Sequence, residues 1–148
     1  MAVSGTLVIG FGNTIRTDDN AGIWIAEQLA ALHLSGVVVE TQHQLSLDLL
    51  EEFSRFSRLL FIDASTDGDA LRFEKVGQPG VTIPPSAHHL TPADLVGMYA
   101  ELYGKEAEAF FCTVRGENFE FGTELTLETH VRAESAVVLL ADFLRANC

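Results

Sequence analysis

Between Thr6 and Gly22 the chain reads Thr-Leu-Val-Ile-Gly-Phe-Gly-Asn-Thr-Ile-Arg-Thr-Asp-Asp-Asn-Ala-Gly, and few folds accommodate such a stretch. Thr6 to Gly10 has the unbroken apolar character of a strand buried on both faces. Gly10 and Gly12 allow a tight turn. A helical pattern then runs roughly from Asp19 to Leu34, with Ile23, Ile25, Ala26, Leu29 and Ala30 on its inner side. Strand, Gly-x-Gly turn and helix in that order specify an α/β unit of the kind that holds a nucleotide. Ile15 occupies the place of the third glycine, however, and Asp18 and Asp19 stand where a pyrophosphate would approach the helix. The same scaffold with two carboxylates points toward a cation.

Further along, apolar runs alternate with helical patterns. Val37-Val-Val39 reads as a short strand ending at Glu40. Ser46 is placed to cap a helix through about Phe56 that buries Leu47, Leu50 and Phe53. Leu59 to Ile62 is the most hydrophobic strand, and therefore central, with Asp63 at its end. Leu71 to Val76 alternates apolar and polar residues, the period of a half-exposed, antiparallel edge strand. Gly77 to Ala87, with its glycines and prolines, is a loop. Thr91-Pro92-x-Asp94 combines an N-cap, a proline at the first helical position and an acid in the first turn, and starts a helix to about Tyr103. Ala109 to Val114 is the last strand, Gly116 to Glu124 a loop, and Thr126 caps a final helix to about Ala146. This order predicts a three-layer αβα sandwich: a mostly parallel, twisted sheet of about five strands with one antiparallel edge strand.

The 148 residues, 47% hydrophobic and 20% charged, suit a single domain spanning 1–148. No apolar run approaches the roughly 18 residues of a membrane span. The N-terminus lacks the basic region of a signal peptide, so a cytoplasmic location is expected. Nine basic residues against 21 acidic ones leave a formal charge of -12, which argues against nucleic-acid and anionic-membrane partners. Two cysteines cannot build a disulfide framework or a cysteine-rich zinc site. Cys112 lies in an apolar run and reads as a buried thiol; Cys148 reads as part of a frayed end.

In open parallel sheets ligands collect beyond the carboxyl ends of the strands. Asp19, Asp63 and His88 all fall at that edge. Two carboxylates and an imidazole suit a divalent transition metal with positions left open to water or substrate. Spacing alone does not choose between His88 and His89. Asp18 is read as a helix cap facing the dipole. His33 and His43 have no acidic neighbours in sequence and are taken as surface or loop residues, and His130 as exposed. A dinucleotide reading keeps one further feature, Glu40, where a ribose-binding acid would sit. Neither a Gly-x-Ser-x-Gly elbow nor a His-Glu-x-x-His helix is present.

Gly10-x-Gly-Asn13 with the Asp18-Asp19 pair and Gly22, Phe61-Ile-Asp63-Ala64, and Ala87-His88-His89-Leu90 together resemble the motifs of the [NiFe]-hydrogenase maturation endopeptidases. Thr41-Gln-His-Gln-Leu45 and Val114-Arg-Gly-Glu-Asn-Phe-Glu-Phe-Gly122 are most similar to the branch serving soluble bidirectional, NAD(P)-linked hydrogenases. The resemblance implies cleavage of a short C-terminal extension from the hydrogenase large-subunit precursor once nickel has been inserted. It implies that Asp19, Asp63 and His88 contact that nickel, which the substrate carries, and that other divalent metals can substitute in vitro. It also implies a monomer that docks transiently. Asn20 stands where relatives commonly have glycine. A non-proteolytic, metal- or nucleotide-binding accessory protein for hydrogenase assembly is the alternative.

Overall fold

Strand β1, Thr6–Phe11, is buried from Thr6 through Gly10, as a parallel strand covered on both faces requires. It opens a computed structural model that describes residues 5–77 and 90–146. A 3-10 turn at Thr17–Asn20 leads into α1 (Ala21–Ala31), followed by β2 (Val37–Gln42) and the short α2 (Leu49–Phe53). Next come β3 (Arg58–Ser65) and β4 (Leu71–Lys75), then α3 (Pro92–Tyr103), β5 (Glu108–Arg115) and α4 (Leu127–Ala146).

The five strands form one sheet in the order β2-β1-β3-β5-β4. All neighbours are parallel except β4, which runs antiparallel to β5 at an edge. The expected α/β architecture, the central place of β3 and the antiparallel edge strand are thus what the chain forms. Leu7, Ile9, Leu59 and Phe61 face one side and pack with Leu49, Leu50 and Phe53 of α2 and Leu95 and Tyr99 of α3. Val8, Leu60, Ile62 and Cys112 face the other and pack with α1 and α4. Period-two alternation within fully buried strands therefore makes two cores, one for each helical layer. Cys112 is a free thiol as expected, and burial pushes its pKa up to about 12. Among the described residues no helix is long and apolar enough to cross a membrane.

Several element ends differ from expectation. Helix α1 stops at Ala31, before Leu34, and His33 then takes a positive φ of 49°. Helix α2 starts at Leu49 because a tighter turn precedes it: Leu49 N donates to Ser46 O and Leu50 N to Leu47 O. Leu45 enters the core ahead of that turn and Leu47 is left 54% exposed, not buried. Strand β2 continues past Glu40, since Thr41 and Gln42 pair with Gly10 and Phe11. Strand β3 continues past Asp63, which pairs with Thr113. The Thr91 signal is realised as a full capping box: Asp94 N donates to Thr91 Oγ1 at 3.1 Å and Thr91 N to Asp94 Oδ2 at 2.9 Å.

Candidate functional site

Asp19 and Asp63 line one cavity of about 490 Å³ at the carboxyl ends of β1 and β3. Phe11, Gly12 and Asn13 form its wall on the β1 side, and Leu90 and Thr91 border it before α3. Asp19 reaches the cavity because the chain folds back sharply after β1. Asn13 N donates to Asp19 Oδ2 at 2.9 Å. Gly12 has a φ of 150°, and a Cβ there would lie 2.0 Å from the Asp19 carbonyl oxygen. Only glycine fits this approach.

Asp63 is partly buried near the carboxyl end of β3, and its Oδ1 accepts a hydrogen bond from Ala64 N at 2.8 Å. Burial, above all, pushes its pKa up to about 7; the nearby Asp19 charge adds to the rise and the Ala64 hydrogen bond opposes it. Such a carboxyl takes up and returns a proton near neutral pH. Helix α1 sits hard against this strand. A Cβ on Gly22 would lie 2.4 Å from Ile62 O and 2.9 Å from Asp63 Cα, and one on Gly10 would lie 2.4 Å from Gly22 O. The close-packing glycine of the unit is therefore Gly22 in the helix, while Ile15 is 51% exposed on the turn.

Asp18 corrects its expected role. Neither the 3-10 turn nor α1 has a side-chain cap hydrogen bond. Asp18 is instead fully buried and accepts hydrogen bonds from Glu117 N (2.7 Å), Asn118 N (3.0 Å), Thr126 N (2.8 Å) and Thr126 Oγ1 (2.9 Å). Burial alone would raise its pKa, but these bonds together outweigh burial and hold it below 3.8. Asp18 thereby ties the 116–126 segment to the chain just ahead of Asp19. Thr17, at a positive φ of 49°, assists: its N donates to Gly122 O at 2.9 Å and its Oγ1 to Glu120 O at 2.6 Å.

His43, read from the sequence as a surface or loop residue, is exposed just after β2 and also lines the Asp19–Asp63 cavity. Strand β2 carries it there: Gly12 N donates to Gln42 O at 3.1 Å, which puts the next residue beside the Gly12 turn. His43 and Gly12 also line an adjoining cavity of about 270 Å³ with Thr14 and Glu27. The usable signal was the Thr41-Gln-His-Gln-Leu45 motif read as a continuation of β2. His130 is half-exposed and packs edge-on against Trp24, with ring centroids 5.0 Å apart.

Glu40 shares a hydrogen bond with the Glu52 carboxyl, and that bond, then burial and the Glu52 charge, raise its pKa to about 7. It is engaged with a second carboxyl, not presented to a ribose. His88 and His89 lie outside the described residues, as do Cys148 and the expected 77–87 loop beyond Gly77. The 116–124 loop packs on Ile15–Asp18 and does not line the Asp19–Asp63 cavity. Among the described residues no three His, Cys, Asp or Glu side chains are gathered closely enough to hold a metal ion.

Neither a protein-family model nor a curated protein matches the chain. Its fold is similar to that of the hydrogenase maturating endopeptidase HybD from E. coli, with a TM-score of 0.77 and 22% identity over 96% of this chain and 93% of that one. It is also similar to the [NiFe] hydrogenase maturation protease HycI from Thermococcus kodakarensis KOD1, with a TM-score of 0.72 and 21% identity over 95% and 92% of the two chains. The HybD protease of Thermococcus kodakarensis gives 0.70 and 19% over 95% and 99%. At such identities the likeness establishes a shared fold.

Proposed function

We propose that this chain is an endopeptidase that removes the C-terminal extension of a [NiFe]-hydrogenase large-subunit precursor after nickel insertion. One observation carries the reading: Asp19 and Asp63, far apart in sequence, meet in one cavity at the carboxyl edge of the sheet. The fold shared with solved maturation proteases and the motif resemblance support it. The NAD(P)-linked branch rests on the Thr41–Leu45 and Val114–Gly122 segments; a cytoplasmic location and a monomeric state belong to the same reading.

Nickel enters as part of the substrate. Asp19 and Asp63 each have one oxygen held by a backbone N–H, and among the described residues no hydrogen bond occupies the other. Two anchored carboxylates with open oxygens suit a hard-to-borderline divalent ion. His88 is assigned as the third contact from its motif. Requiring the precursor's own nickel makes cleavage conditional on a loaded substrate. In the hydrolytic step a carboxylate, Asp63, takes a proton from water as the oxygen attacks the scissile carbonyl. The C–N bond then breaks as the same proton passes to the leaving nitrogen. Among the described residues no hydrogen bond joins Asp19 to Asp63, and burial outranks the Asp19 charge in raising Asp63. Both favour carboxylates flanking a gap over a proton-sharing aspartic dyad.

The test is to mix the purified chain with nickel-loaded precursor and weigh the large subunit. Loss of a C-terminal peptide is expected, and its retention with nickel-free precursor. A complex without mass loss would identify a non-proteolytic accessory protein instead. His88→Ala should abolish processing and His89→Ala retain it; the reverse pattern would move the third contact to His89.

A further inference from the structure

The loop after β5 carries a large apolar ring that neither core uses. Phe121 is 75% exposed beside Ile15, at 51%. Backbone hydrogen bonds join the two segments: Gly122 N donates to Ile15 O at 3.1 Å, and Thr17 N to Gly122 O at 2.9 Å. Arg16 lies across the ring, its guanidinium carbon 4.4 Å from the centroid. Among the described residues Arg16 has no ion-pair partner.

An exposed ring on a yielding loop would fold down onto the nearest apolar surface. This one is held in water by the buried Asp18 carboxylate with its four hydrogen bonds, and by Thr17 Oγ1 on Glu120 O. The patch also continues directly from the site. Asn13, whose N–H holds Asp19, lines the larger cavity, Thr14 lines the adjoining one, and Ile15 and Arg16 come next in the chain.

We infer that Ile15, Arg16 and Phe121 form a docking platform for the folded body of the polypeptide whose tail enters the Asp19–Asp63 cavity. The inference rests on the proposed function, because it takes its partner from that reading. A tail cut at this edge remains attached to a folded domain, and that domain must lie over the rim next to the cavity. The matching surface is an apolar patch bearing a carboxylate: Phe121 and Ile15 take the apolar part, and Arg16 takes the charge. Aromatic and arginine side chains are the types that dominate protein interfaces, and rigid placement lowers the entropy lost on docking. A second copy is disfavoured as the occupant, since each copy carries a formal charge of -12.

The experiment measures cleavage of nickel-loaded precursor over a range of precursor concentrations, and binding of labelled chain to the same precursor by anisotropy. Wild type is compared with Phe121→Ser and Phe121→Leu. Phe121→Ser should raise KM and weaken binding about tenfold while kcat at saturation and thermal stability hold. Phe121→Leu should recover most of the loss, because it restores apolar surface. Equal binding and equal KM for wild type and Phe121→Ser would overturn the platform, as would a fall in kcat with KM unchanged. Precursor that binds wild type but is not cut would sink the protease reading and leave the platform to the binding comparison. If wild type shows no binding at all, both fail. If sedimentation shows a wild-type dimer that Phe121→Ser converts to monomer, the patch joins two copies and the inference is wrong.

Discussion

Asp63→Asn should stabilise the fold while destroying processing, and the gain should grow with pH. The folded-state pKa of Asp63 is about 7 against an ordinary 3.8, raised first by burial and then by the Asp19 charge. Between those values the folded chain binds more protons than the unfolded one. The stability that this proton confers is complete below the ordinary value and is lost as pH rises through 7. Three pKa units at 1.36 kcal/mol each amount to about 4 kcal/mol in full. Water at the cavity mouth screens part of the charge, which leaves about 2–3 kcal/mol. Asparagine keeps an acceptor for Ala64 N and carries no charge. The stability gap between variant and wild type should therefore open by that amount between about pH 4 and pH 8, about 5–10 °C in Tm for a chain of this length. Glu40 is raised in the same direction in both proteins and cancels in the difference. Thermal and urea melts across that pH range measure the gap, and cleavage should fall on the order of a thousandfold. A gap that does not change with pH, or a variant less stable at the alkaline end, would refute the argument that its surroundings raise the Asp63 pKa.

Gly22→Ala should cost about 3 kcal/mol in urea melts, because the added Cβ meets Ile62 O and Asp63 Cα, backbone atoms that cannot move aside. Asp18→Ala strands the donors of Glu117, Asn118 and Thr126 and should cost about 3–5 kcal/mol, with faster protease nicking between Gly116 and Glu124. Because the Asp18 pKa lies below 3.8, its stabilisation is present above that value and lost as pH falls further, so the variant's deficit should shrink in acid. His43→Ala should leave stability within about 0.5 kcal/mol, since the residue is exposed, yet slow cleavage about tenfold as the cavity loses its described imidazole.

The sheet was legible where burial left a pattern. Leu59 to Ile62 and Ala109 to Val114 are apolar because helices cover both their faces, and Leu71 to Lys75 alternates because it lies at an edge. Thr91-Pro92-x-Asp94 was legible because a capping box is local chemistry. The rest depended on contacts between distant segments. Nothing near Leu47 reveals that Leu45 takes the core position first. Thr41 and Gln42 look like loop residues, since what makes them a strand is the ladder to Gly10 and Phe11. That same ladder hid His43. Asp18 and Asp19 are chemically identical neighbours, and only the position of a loop about a hundred residues away assigns one to structure and the other to the cavity.

That division of labour has a mechanical side. The 3-10 turn at Thr17–Asn20 aims two consecutive carboxylates in different directions, one clamped under the 116–126 segment and one held by Asn13 at the cavity. A single peptide unit separates them. Any rotation there that slackened the clamp would also swing the Asp19 oxygens, so the two behave as gears on one shaft. An insertion between Asp18 and Asp19 would unmesh them, leaving the clamp and the cavity carboxylate to be set independently.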